Sequence, residues 1–368
     1  MLRDQRRTKI VCTLGPASDG DILPRLLAAG MNVARLNFSH GTHAEHGARI
    51  KRLRELAAAE GLPLAILQDL AGPKVRIGAV PGGEITLQEG GVFSLSAVPL
   101  EPGQAGVIVD YPQVITETPL GAPILLADGN IELRVETRTD STLNCRVVVG
   151  GVLRSRVGIN FPMHSVSVAA FTAKDQEDLR FGIAQGIDFV ALSYVRSRQD
   201  ILAAKEFMRS LGADIPIIAK IEKHEALSRL EEILDEADGL MVARGDLGVE
   251  MSTEEVPTLQ KRIIEMANGA GKVVITNTVP LPPEKQIDKI EVLNPRERNS
   301  RAFSEVVANI KAIGLKKPIV VTPRTLDEGA EHYLLICGEG RLKAFKSLGE
   351  TAIPALVIVA SDEDAFIM

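Results

Sequence analysis

The chain has 368 residues, 45% hydrophobic and 24% charged, with a net charge of −6 and three cysteines. That length holds one large domain with an insertion or two to three smaller ones, and the acidic balance leaves no overall basic field for nucleic acid or an anionic membrane. Cys12, Cys145 and Cys337 lie far apart without metal-ligand spacing. They point to a reducing, cytoplasmic compartment, and with no signal peptide and no apolar run near the roughly 20 residues that span a bilayer, a soluble chain is expected.

In chain order, TKIVCTLG (8–15) reads as a strand stopped by Gly15-Pro16, and DILPRLLAAG (21–30) as a short amphipathic helix ending at Gly30. The strand MNVARLNFSH ends in Arg35, Asn37, Ser39 and His40, an unusually polar finish for a buried strand. A helix over about 44–60 and the strand PLAILQDL, ending at Asp69 and a Gly-Pro turn, complete a βαβαβ alternation. From 74 to 158 the pattern changes to short alternating runs with Gly/Pro turns and no convincing helix, as expected of a small antiparallel β domain. The helical rhythm returns at Thr172, a plausible N-cap with Asp175 three residues on. Strand IDFVALSYV, a helix, strands IPIIAKIE and GLMVARGD, a helix over 257–269 and the seventh strand KVVITNT follow. The expected division is therefore 1–73 and 159–279 as two parts of one α/β barrel, 74–158 as the insertion, 280–286 (PLPPEKQ) as a linker, and 287–368 as a C-terminal α+β domain.

The stretch from Ile217 to Met251 organises the rest. Two apolar strands flank an amphipathic helical run, and each strand ends in charge, so Lys220, Glu222 and Asp246 converge at the C-terminal mouth of a barrel. A lysine between two carboxylates suits a divalent metal beside a transferring phosphoryl group; a surface salt-bridge cluster would have the same composition.

The stretches TKIVCTLGPAS, GMNVARLNFSHGTH, LQDLAGPKVRIG, ADGNIELRV, TAKDQEDLRFG, GIDFVALSYVRS, IIAKIEKHEAL and MVARGDLGVEM, in this order, closely resemble pyruvate kinase over about residues 7–278. The resemblance implies a TIM (β/α)8-type barrel with a small β-barrel domain inserted after its third strand. It implies phosphoryl transfer between phosphoenolpyruvate and ADP, giving pyruvate and ATP in the last step of glycolysis. Glu222 and Asp246 would hold Mg2+ or Mn2+, and Lys220 would neutralise the moving phosphoryl group and the developing enolate. The backbone of Gly245 and Asp246 would hold the substrate carboxylate, and Thr278 would stand on the face of the enolate that is protonated. Arg35 and Arg76 would bind phosphate, Lys174 the nucleotide phosphates, and Pro16 and His40 the nucleotide's edge. Asn37, Ser39, Asp69 and Leu70 correspond to the K+ site. Gly72-Pro73-Lys74 after Leu70 resembles the potassium-independent members, in which a lysine takes the ion's place.

Beyond Thr278 the sequence departs from this pattern, so an incomplete barrel of seven strands with two exposed edges is expected. From about 287 to 368, IEVLNPRERN, VVANIKAIGLKKPIVVTPR and YLLICGEGRLKAFKSLGETAIPALVI resemble the N-terminal domain of ParB/RepB partition proteins. Arg296 and Arg298, with the turn Gly338, Glu339 and Arg341, would then approach CTP phosphates. Gly340 stands where many members carry an arginine, and no helix-turn-helix for DNA is expected. Two functional readings follow: a pyruvate kinase-like phosphotransferase, or an inactive scaffold of that fold fused to a CTP- or protein-binding module. The oligomeric state is left open.

Overall fold

The structure, a computed structural model, describes residues 8–162, 164, 166–251, 255–277, 284–292, 303–304, 306–308, 310, 318–325 and 331–357. The chain divides into two compact units, Met1–Thr278 and Val279–Met368. The first opens with β1 (Val11–Leu14), α1 (Ile22–Ala29), β2 (Val33–Asn37), α2 (His43–Ala59) and β3 (Ala65–Asp69). Helix α1 stops at Gly30, whose φ of 105° is the left-handed cap expected of glycine. Helix α2 starts at Thr42, whose side chain accepts from the Glu45 amide while Glu45 reaches back to the Thr42 amide.

The insertion follows, with β4 (Glu84–Leu87), β5 (Val92–Ser96), β6 (Gly106–Ile108), α3 (Gln113–Glu117), β7 (Pro123–Leu126), β8 (Ile131–Arg138), β9 (Thr142–Val149), β10 (Gly151–Arg154) and β11 (Ile159–Asn160). Its main sheet runs β11-β7-β8-β9-β5-β6, antiparallel except for the β5–β6 pair, and β10 pairs with β4. Phe93, Leu95, Ile115, Leu133, Leu143 and Leu153 belong to a core of its own. The helix α3 was not expected. It spans five residues, too few to show an amphipathic period, and it is placed by burial of Val114 and Ile115.

The barrel resumes with α4 (Ala173–Ala184), β12 (Phe189–Leu192), α5 (Arg198–Ser210), β13 (Ile217–Ile221), α6 (His224–Ser228), α7 (Leu230–Glu236), β14 (Gly239–Val242), α8 (Arg244–Glu250), α9 (Val256–Gly269) and β15 (Val273–Thr276). Thr172 caps α4 as expected, in a capping box with Asp175. The single helical run expected between β13 and β14 is instead two short helices. Ser228 Oγ donates to the Glu225 carbonyl, and Arg229 leaves helical geometry at φ −118° and ψ 20°.

Seven strands pair in parallel in the order β1-β2-β3-β12-β13-β14-β15, a curled sheet of the TIM-barrel type. Alternate residues serve two faces. Ile66, Val190, Ile217 and Leu240 pack under the helices with Leu53, Leu179, Ile201 and Ile233, while Leu67, Ala191, Ile218 and Met241 fill the inside. Strands β13 and β14 are buried at every position, the run expected of parallel strands covered on both sides. The outer strands are not: Val273 on β15 is 57% exposed, and among the described residues neither β1 nor β15 has a partner on its outer side.

Among the described residues the second unit has a five-stranded mixed sheet and a helix that packs against it. Strands β16 (Glu284–Gln286), β17 (Ile290–Glu291), β18 (Ile319–Thr325), β19 (Glu331–Cys337) and β20 (Ala352–Val357) pair in the order β16-β20-β18-β19-β17, and α10 (Glu339–Ser347) follows β19. HYLLICGEGRLKAFKSLG (332–349), whose pattern reads as a strand, a glycine turn and a helix, adopts that order. The last three residues of the expected linker form β16, and residues 280–283 lie outside the described residues. Of NPRERNSRAFSEVVANIKAIGL (294–315), a basic segment that reads as helical, positions 303–304, 306–308 and 310 are described and helical. Among the described residues no helix is long and apolar enough to cross a membrane.

Candidate functional site

The C-terminal ends of β2, β3, β12 and β13 bring Arg35, Asp69, Ser193 and Lys220 together, with Glu222 one residue past β13. Lys220 is 7% exposed and Glu222 2%, so both charges need partners inside the protein. An ammonium has three protons, and all three are committed. Lys220 Nζ lies 2.9 Å from Glu222 Oε1, 3.1 Å from Asp69 Oδ1 and 2.7 Å from Ser193 Oγ. Burial alone would depress the ammonium, but Glu222 and Asp69 beside it raise its pKa above the ordinary value, so it stays charged. The second Asp69 oxygen accepts from Arg35 Nε and Nη2 at 2.7 and 2.5 Å, and Arg35 also donates to Thr13 Oγ1.

Glu222 Oε2 accepts from the Tyr194 backbone N–H at 2.8 Å. Tyr194 has φ of +56°, a left-handed conformation rare for a bulky residue. Its ring packs against Gly72, where an added Cβ would sit 2.8 Å from Tyr194 Cδ2. Ser193 and Tyr194 were missed at the sequence level. They belong to the expected strand IDFVALSYV, but the strand stops at Leu192 and the chain turns sharply instead. The polar serine ending an apolar run was the available signal.

Asp246 lies in the first turn of α8, close enough for its charge to raise the Glu222 carboxyl beyond the effect of burial. An added Cβ at the adjacent Gly245 would meet nothing within 4 Å, so the mouth is open there. Arg244 Nε donates to the Asn277 carbonyl, tying α8 to the end of β15. Thr278 lies outside the described residues. Arg76 pairs across to Gly158 at the root of the insertion and donates to the Arg156 carbonyl at 3.0 Å. Asn160, on β11 of the insertion, donates to Glu250 Oε1 on α8, which also accepts from Lys223 at 2.5 Å.

On the opposite flank, Lys174 Nζ donates to the Phe38 carbonyl at 3.0 Å and to Asp178 at 2.5 Å. The carbonyl of His40 faces His46 Nε2 at 2.8 Å, and Pro16 opens a single 3-10 turn after β1. Of the expected K+ ligands, Asn37 Oδ1 accepts from the Ser39 amide, the Leu70 carbonyl accepts from Ser193 Oγ, and Asp69 is held as above. Lys74 Nζ lies 3.7 Å from Asp128 Oδ1 in the β7–β8 turn of the insertion.

The residues fit a divalent cation. Two carboxylates, Glu222 and Asp246, offer hard oxygen donors of the kind Mg2+ and Mn2+ take. Arg35 and Lys220 are paired with Asp69 and Glu222. The Glu222 pKa is raised, by burial first, with Lys220 pulling it down and the charge of Asp246 pushing it up. A cation at these two groups would relieve that repulsion.

In the second unit Gly338 has φ of +108° and opens α10. Arg341 donates to the Pro318 carbonyl, with Nη2 3.8 Å from Cys337 Sγ, and Glu339 pairs with Lys343 at 2.7 Å. Arg296 and Arg298 lie outside the described residues.

Two protein families match the sequence: pyruvate kinase, barrel domain, over residues 5–306, and the ParB N-terminal domain over residues 276–368. Pyruvate kinase 2 of Synechocystis sp. is 48% identical over 279 residues, 74% of this chain and 47% of that protein. The pyruvate kinases of Geobacillus stearothermophilus and Sporosarcina psychrophila are 47% and 42% identical, each covering 83% of this chain and 51% of their own length. The chain thus spans about half the length of the curated relatives it matches. A barrel-domain match over most of the chain, carried on a parallel sheet with its charged cluster at the strand ends, places this protein in the pyruvate kinase family.

Proposed function

We propose that the first unit carries phosphoryl transfer between phosphoenolpyruvate and ADP in the cytoplasm, with Mg2+ or Mn2+ at Glu222 and Asp246. One observation carries this reading: a buried Lys220 held between the carboxylates of Asp69 and Glu222 at the mouth of a parallel barrel. The charge of Lys220 offsets the negative charge on the phosphoryl group as it moves and on the enolate left behind. Glu222 and Asp246 would hold the divalent ion, which would supply charge neutralisation for the transfer. Arg35 and Arg76 bind phosphate oxygens, and the open backbone at Gly245 and Asp246 receives the carboxylate. Lys174 contacts the nucleotide phosphates, with Pro16 and His40 at its edge. Protonation of the enolate occurs on the Thr278 side.

K+ is dispensable in this reading. The ammonium of Lys74 takes the ion's place near the substrate, while Asp69 has one oxygen against Lys220 and the other on Arg35. Supporting the rival reading, an inactive scaffold, are the unpaired outer sides of β1 and β15 among the described residues. In that rival reading the second unit, similar to the ParB N-terminal domain, is a CTP- or protein-binding module.

The test is pyruvate formation from phosphoenolpyruvate and ADP with Mg2+, with and without K+, beside Lys220→Met. Turnover that is indifferent to K+ and lost in Lys220→Met supports the proposal. Folded protein with no turnover above that variant overturns it in favour of the scaffold.

A further inference from the structure

We infer that Ser193 is a positioning residue that aims the Lys220 ammonium; its catalytic part rests on the phosphoryl-transfer reading above. Ser193 is 2% exposed and sits at the corner where β12 gives way to the left-handed Tyr194. Its hydroxyl has one proton, and the nearest acceptor for it is the Leu70 carbonyl at 2.7 Å; Asp69 Oδ1 is farther, at 3.5 Å. With that proton committed, the oxygen presents a lone pair to Lys220 Nζ at 2.7 Å. The relay therefore runs one way, from the ammonium through the hydroxyl to a backbone carbonyl fixed by the Leu70 amide's own bond to Ala191.

The three partners of Lys220 are not equivalent. Glu222 is also a candidate metal ligand, so a divalent ion competes with Lys220 for its oxygens. Were Glu222 to hold that ion, one ammonium proton of Lys220 would be freed from its present bond. Ser193 and Asp69 remain, and two fixed bonds are enough to set the direction of the third. Ser193 is the neutral one of the two, so its loss changes geometry without changing the charge of the cluster. That property makes it a clean probe of aim as distinct from electrostatics.

The experiment compares wild type, Ser193→Ala and Ser193→Thr, the last keeping a hydroxyl. Steady-state kinetics are read together with trace acetylation of Lys220, quantified by peptide mass spectrometry against the exposed Lys51. Ser193→Ala is expected to lower kcat about tenfold, the scale of one hydrogen bond to a charged group, with KM for phosphoenolpyruvate within about twofold. Lys220 labelling should rise about threefold or more in Ser193→Ala, and Ser193→Thr should recover both readouts in part. A purely structural role would lower the unfolding midpoint and leave kcat per folded molecule and Lys220 labelling at wild-type values, and that result overturns the inference. If wild type itself shows no turnover, the phosphoryl-transfer reading fails on its own. Labelling then decides alone: increased Lys220 reactivity supports positioning, and unchanged reactivity refutes it. Should Ser193→Ala not fold, the near-isosteric Ser193→Cys replaces it in the same comparison.

Discussion

Gly72→Ala tests whether the turn after β3 is built around the Tyr194 corner. Gly72 has φ of +64°, and an added Cβ would lie 2.8 Å from Tyr194 Cδ2, 3.0 Å from Ser193 Cβ and 3.3 Å from the Ser193 carbonyl oxygen. The left-handed backbone costs alanine about 1–2 kcal/mol. The overlap adds about 1–3 kcal/mol, because two of the three contacted atoms belong to a residue whose own backbone is tied to its neighbours. Together the expected loss is about 2–5 kcal/mol. Gly61→Ala separates the two contributions: Gly61 has φ of +61° in the same unit, with nothing within 4 Å of an added Cβ, so it carries the backbone cost alone. Urea unfolding followed by circular dichroism gives both losses from the midpoint shift at constant slope. Gly72→Ala should lose more than Gly61→Ala by the packing contribution, and kcat should fall with it, since Ser193 and Tyr194 hold Lys220 and Glu222. Equal losses in the two variants, or a Gly72→Ala enzyme with wild-type kcat, would refute the reasoning.

Thr42→Ala should cost about 1 kcal/mol in the same unfolding assay by removing the α2 capping box, with no change in kinetic constants. Cys145 is fully buried and its thiol is pushed up to about 12 by burial, whereas Cys337 is exposed. Native protein should therefore react with a thiol reagent promptly at Cys337 and at Cys145 only on unfolding, as read by peptide mass spectrometry; prompt labelling of Cys145 would contradict the burial. The His46 pKa is lowered, mainly by burial beneath Phe38, with ring centroids 4.1 Å apart. The unfolded chain then binds a proton near pH 6.5 that the folded chain refuses. The stabilising contribution is present above that pH and is lost as pH falls from 6.5 through the lowered value. His46→Gln should flatten that part of the stability profile, and an unchanged slope would count against it.

The seven parallel strands were legible because each is a short apolar run, several of them ended by charge and β1 by Gly15-Pro16, and the helices because Thr42, Thr172 and Gly30 punctuate them. The partners of the charged side chains were less legible. That Lys220 and Glu222 converge follows from their spacing on one strand end. That Asp69 would be divided between Lys220 and Arg35, rather than stand open to a monovalent ion, depends on the register of β2 with β3 and β12. Ser193 and Tyr194 escaped notice for a related reason. A backbone amide and a neutral hydroxyl carry no compositional signature, and a left-handed tyrosine contradicts local propensity. The short helix α3 and the break at Arg229 likewise arise from tertiary burial and a side-chain-to-backbone bond that no periodicity encodes.

The unpaired outer sides of β1 and β15 bear unequally on the parts of the site. Arg35, Asp69 and Lys220 stand on β2, β3 and β13, each paired on both sides, and Ser193 and Glu222 follow directly from β12 and β13. These strands are ordered by two neighbours apiece and by the buried cores on both faces. The groups that orient the ammonium therefore do not depend on what lies beyond the sheet edges. Thr13 stands on β1 and Pro16 follows it, and Thr278 comes after β15 in the sequence; among the described residues these two strands have one neighbour each. On the proposed reading, the demand for precise placement is thus met best at the Lys220 cluster and least at the positions proposed for the nucleotide edge and for enolate protonation. If the two edges limit this protein, the defect should appear as weakened nucleotide affinity and slowed enolate protonation, with the Lys220–Glu222–Asp69 cluster intact. Metal affinity at Glu222 and Asp246, measured by Mn2+ titration, would then remain in the range of a full-length relative while kcat falls below it. A loss of metal affinity in proportion to kcat would place the defect in the core of the sheet and refute this division.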